Sequence, residues 1–175
     1  DPALTGKELA TTITAQASNF ATVVQSIYDQ SGVSDPYFSS LNETVTVSIA
    51  ELLMLTYHLV HPGQVPKASD VQNLINDCSR CRPYLDALIK HYSVHSVRDS
   101  GNDRTEQVAE VVDVGQWQQV YTTINNDLLG ENKANMYDRC NGLRNLINNF
   151  LNDPLVRDVF EAEETVDIDK ALEYG

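Results

Sequence analysis

Phosphate-binding and nucleophilic motifs are missing from this 175-residue chain. Its eight glycines are isolated, and none opens a G-x-x-x-x-G-K loop that could cradle a phosphate. No G-x-S-x-G elbow presents a nucleophilic serine. Basic residues are few, 12 against 25 acidic, for a formal net charge of −13. Such a balance repels nucleic acid and anionic lipid at long range, excludes non-specific duplex binding by the isolated chain and favours basic protein partners. Aromatic residues interleaved with cationic ones, as in single-strand binders, are also absent.

Cysteine is scarce and odd in number: Cys78, Cys81 and Cys140. That count argues against a disulfide framework and for a reducing compartment. Cys78-x-x-Cys81 has metal-ligand spacing, but a zinc site needs four ligands, so Cys140 and the histidines His91 and His95 would have to complete it. Free, buried or half-buried thiols are the simpler expectation, and no metal ligand is assigned. His91 and His95 lie four apart, on one face of a helix, yet none of the residues between them (Tyr92, Ser93 and Val94) is the carboxylate that a zinc protease needs. The sequon Asn42-Glu43-Thr44 matters only in a secreted protein and is read as chance. No basic start followed by an apolar core marks a signal peptide. The longest apolar-rich stretch, Val45 to Val60, is broken by Thr46, Ser48, Glu51, Thr56 and His58, short of the ~20 apolar residues of a membrane span. The expectation is a soluble, cytosolic domain that catalyses nothing by itself.

What the sequence does carry is helical periodicity. Leu9, Ile13, Ala17, Phe20, Ala21 and Val24 step by three or four, predicting one amphipathic helix from Gly6 to about Gln30. Ser31-Gly32 ends it, and Pro36 sits where a first helical turn tolerates a missing N–H. A second helix to Val60 is apolar almost all round, which marks a central position, although Thr44 to Ile49 also fits a strand by its alternation. After the loop His61–Pro66, Ser69 is expected to cap a short helix from Asp70 to about Cys78. Arg82-Pro83 opens the next, with Tyr84, Leu85, Leu88 and Ile89 inward. A helix from Asp103 to Leu129, bent at Gly115, and another from Glu131 to Asp153 complete the set. The fold class is all-α, a bundle of about six or seven helices in a single domain spanning 1–175. Residues 162–175 read as a linker, because Val166 to Gly175 resembles the approach to a buried strand that never follows.

Two stretches resemble one family. Ser34-Asp35-Pro36-Tyr37-Phe38 precedes the long apolar helix through Leu52-Leu53-Met54-Leu55, and Leu143-Arg144-Asn145-Leu146 leads through Phe150-Leu151-Asn152-Asp153-Pro154 to Thr165-Val166-Asp167-Ile168 and Leu172-Glu173-Tyr174-Gly175. Together they resemble the all-α domain inserted in the motor of conjugative type IV coupling proteins, and the likeness covers most of the chain with short, degenerate motifs. The resemblance implies an excised, non-catalytic substrate-recognition domain of a plasmid DNA-transfer system. Its parent would be a membrane-anchored, hexameric ATPase at the cytoplasmic face of the membrane, with ATP and Mg in the motor and no cofactor here. It also implies docking of relaxase and accessory relaxosome proteins, with DNA contacted indirectly, by a domain that is monomeric when isolated. The acidic residues Glu161, Glu163 and Glu164, with Asp99 and Asp103, are the expected partner contacts. The rival readings are a helical insertion of a conjugation-channel ATPase, a free-standing helical adaptor, and a small metal enzyme built on Cys78, Cys81 and a histidine.

Overall fold

A computed structural model describes residues 6–30, 36–93, 112–131 and 133–154. Among them every regular element is helical, in seven α-helices: α1 (Gly6–Gln30), α2 (Pro36–Val60), α3 (Ala68–Asn76), α4 (Arg82–Tyr92), α5 (Gln118–Thr122), α6 (Lys133–Arg139) and α7 (Asn141–Asn152). The all-α expectation holds, and the strand alternative for Thr44 to Ile49 is excluded because those residues lie inside α2.

α2 is the axis of the bundle. It packs against α1, α3, α4 and α5, while α7 closes over α1 and α3. Its side chains are buried on nearly every side, from Val45 through Ile49, Leu52, Leu53 and Leu55 to Tyr57. By length and composition alone Ser39–Val60 could cross a membrane (mean hydropathy 1.2), contrary to the sequence reading of a stretch too broken to span. Burial of 61% of that window against the other helices accounts for its apolarity as core. α1 contributes the single face expected of it, Ile13, Ala17, Ala21 and Val24. Burying one such aliphatic side chain contributes about 1.5–3 kcal/mol.

Four sequence-based boundaries need correction. α3 starts at Ala68 and not at Asp70: the Asp70 carboxylate accepts the Lys67 N–H at 2.8 Å, so the first turn is closed from its third residue and Ser69 lies inside the helix. α3 stops at Asn76, and Cys78–Cys81 form a separate 3-10 turn before Pro83 enters the first turn of α4. The helix start expected at Asp103 lies outside the described residues, and within them the helical segment begins at Gly115. That glycine has φ +61°, so it launches a 3-10 turn (Gly115–Trp117) and does not bend a longer helix. α5 then widens into a π-turn over Thr123–Leu128. The predicted helix from Glu131 to Asp153 is two helices, α6 and α7, meeting at Cys140. The N–H of Cys140 still bonds to Met136 O and that of Arg144 to Cys140 O, both at 2.9 Å, so the junction is a bend.

Candidate functional site

The bend between α6 and α7 opens a concavity on one side of the bundle. α3 runs under α7, and the turn after it brings Asp77 and Cys78 beneath α6. Between them opens a cleft of about 630 Å³ lined by Asn76, Tyr137, Asp138, Asn141, Arg144 and Asn145, with Asn148 at its floor. It shares Tyr137 and Asp138 with a second hollow of about 360 Å³ lined also by Cys78, Leu128, Lys133 and Ala134. Four asparagine amides and one guanidinium thus face a single opening.

The floor is fixed by hydrogen bonds across α3 and α7. Asn148 Oδ1 accepts from Gln72 Nε2 at 2.9 Å and from Asn76 Nδ2 at 2.8 Å, and Asn148 Nδ2 donates to Asn76 Oδ1 at 3.0 Å. Asn145, one turn earlier on the exposed side of α7, has no side-chain partner among the described residues.

Arg144 is the unusual member. It is only 7% exposed, and no carboxylate among the described residues pairs with it. Nη1 donates to Tyr137 O at 2.5 Å, near the end of α6 where helix carbonyls lack partners, and Nη2 donates to Asn141 Oδ1 at 3.3 Å. The Tyr137 ring lies 3.4 Å from the guanidinium carbon, a cation–π stack that leaves the ring itself 48% exposed at the cleft. These contacts clip α6 to α7. They engage two of the five guanidinium N–H groups.

The three thiols are held toward their protonated forms. Burial pushes Cys78 and Cys81 up, and Cys140 up to about 11, against a smaller downward pull from Arg144 on Cys78 and Cys140. All three are free, as expected from their odd count. Among the described residues no three His, Cys, Asp or Glu side chains converge as metal ligands do. Asp77 is held below the usual carboxylate range, first by the Ser79 hydroxyl and then by its N–H and by Arg80, so it caps the 3-10 turn.

The histidines lie elsewhere. His58 and His91 are exposed, while His61 meets the Tyr84 hydroxyl at 3.0 Å, with Tyr57 stacked on Tyr84. Burial raises the Tyr57 and Tyr84 phenols, with Asp70 adding to both. The sequon residue Asn42 is buried in α2.

The expected partner contacts Glu161, Glu163, Glu164, Asp99 and Asp103 lie outside the described residues, as does His95. The cleft residues were missed by sequence reasoning. Arg144 and Asn145 stood in the family-like stretch but carried no assigned role, and no local pattern links them to Asn76. No protein-family model, curated protein or solved structure matches this chain.

Proposed function

We propose that this chain is a non-catalytic protein-recognition domain that docks an extended polypeptide in the α3–α6–α7 cleft. The observation that carries this reading is the set of asparagine amides around a fixed Arg144. An asparagine side chain offers a carbonyl and an NH₂, the same pairing groups as a peptide unit, and can satisfy an extended backbone whatever its side chains. A floor already locked by Asn76 and Asn148 loses little freedom on binding.

The resemblance to conjugative coupling proteins extends the proposal to partners. In that setting the domain receives relaxase and accessory relaxosome proteins for an ATPase motor, and the −13 charge favours their basic surfaces. A phosphate-binding loop encoded upstream of this segment in the same reading frame supports that setting, and a gene without one removes it.

Selection of a displayed random-peptide library tests recognition itself. Peptides that bind the wild-type domain and lose at least about tenfold in affinity, about 1.4 kcal/mol, on Asn145→Trp support the reading. That substitution fills the cleft from an exposed position of α7. Failure to select any peptide, or peptides indifferent to the substitution, overturns it.

A further inference from the structure

We infer that Arg144 is a carboxylate receptor, so that the polypeptide taken by the cleft carries one aspartate or glutamate side chain at a fixed register. The inference rests on the polypeptide-recognition reading and specifies its chemistry.

A guanidinium that is 7% exposed has surrendered most of its hydration, and among the described residues nothing of opposite charge replaces it. Two neutral acceptors and one aromatic face hold it in place. A structural clip needs no more than that, but it also needs no opening, and Arg144 lines the cleft. The N–H groups not used by Tyr137 and Asn141 form the rigid planar fork that a carboxylate meets with two parallel hydrogen bonds. Stacking on Tyr137 orients that fork before any ligand arrives.

The same surroundings choose among anions. Asp138 shares the cleft, Lys133 lies only in the neighbouring hollow, and the molecule carries −13 overall, so a phosphate dianion at Arg144 meets a single guanidinium beside a like charge. A single carboxylate is the anion this site can compensate. A long acidic run is repelled, which leaves one acidic side chain within a neutral or basic segment. A second hollow, at Leu128 and Ala134, shares Tyr137 and Asp138 with the cleft, which leaves room for a bound chain to extend past Arg144. A side-chain carboxylate fits that geometry better than a terminal one.

The test is an NMR titration of the whole domain with N-acetyl-glutamate N-methylamide, read at the Arg144 Nε–H and the Asn145 side-chain NH₂ signals. Saturable shifts of both in the millimolar range are expected, with the glutamine isostere about tenfold or more weaker. Asn145→Asp, a change at an exposed helical position that leaves the circular dichroism intact, places a competing charge at the cleft and abolishes the shifts. Silence at Arg144, equal response to the glutamine isostere, or tighter binding of inorganic phosphate or N-acetyl-alanine overturns the inference. Library peptides that need the open cleft but carry no fixed Asp or Glu also overturn it while leaving the recognition reading intact.

Discussion

Replacing Asn148 by alanine removes the tie between α3 and α7, and its cost can be worked from the contacts. Three hydrogen bonds are lost, two accepted by Asn148 Oδ1 and one donated by its Nδ2. At about 0.5–1.5 kcal/mol each the gross loss is about 1.5–4.5 kcal/mol. Gln72, Asn76 and Asn148 are half-buried, so water recovers part of this and the lower half of the range applies. Alanine returns about 0.6 kcal/mol through its better helix propensity. A net destabilisation of about 1.5 kcal/mol remains, which for a domain of this size lowers Tm by about 3–6 °C. Far-UV circular dichroism melts of wild type, Asn148→Ala, Asn76→Ala and the double variant measure it. The two single effects are expected to be strongly non-additive, because both delete the same pair. An unchanged Tm for Asn148→Ala, or additive single effects, refutes the claim that this amide pair holds the cleft floor.

Three further outcomes follow from the same physics. Thr46 is 1% exposed and its hydroxyl, like Asn42 Oδ1, finds no partner among the described residues; Thr46→Val therefore stabilises by about 1 kcal/mol, read as a urea midpoint shifted upward at constant m-value. Cys140 keeps its proton to about pH 11 when folded, whereas the unfolded thiol loses it near the ordinary value of 9. The native state thus binds more protons between these values, stability is full below pH 9 and declines as pH rises toward 11, and Cys140→Ala flattens that decline in melts recorded across the window. If the proposed docking of basic relaxosome proteins holds, charge reversal of Glu161, Glu163 and Glu164 together is expected to weaken their capture and to reduce the salt dependence of binding; unchanged affinity at low salt discards that strip.

Much of the fold was legible because apolar spacing reports burial directly. The α1 stripe through Ile13, Ala17 and Val24 and the all-round apolarity of α2 became the packed pair at the centre. Boundaries were less legible where the deciding contact is a side chain several residues away, as when Asp70 closes α3 from within and leaves Ser69 no capping role. The break at Cys140 had one sequence signal, the Asn141-Gly142 step that follows it, but the helical spacing of apolar residues runs through that step and the flanking helix bonds persist. Gly115 was read as a weak point in a helix, yet its positive φ makes it a starting point, a distinction that backbone conformation alone decides.

The cleft was illegible for a different reason. Gln72 and Asn148 are 76 positions apart, and exposed asparagines on α7 look like an ordinary solvated face until α3 is placed beneath them. Arg144 stood between Leu143 and Asn145 in an ordinary helical pattern, and only the three-dimensional arrangement shows that no carboxylate among the described residues pairs with it.

The most direct measurement is the affinity ratio of one library-selected peptide for the wild-type domain and for Asn145→Trp, taken by fluorescence polarisation at fixed salt. A loss of about tenfold or more, with the melting curve of the variant unchanged, is the expected result. Equal affinities for the two proteins would contradict the assignment of the α3–α6–α7 cleft as the place where this domain reads its partner.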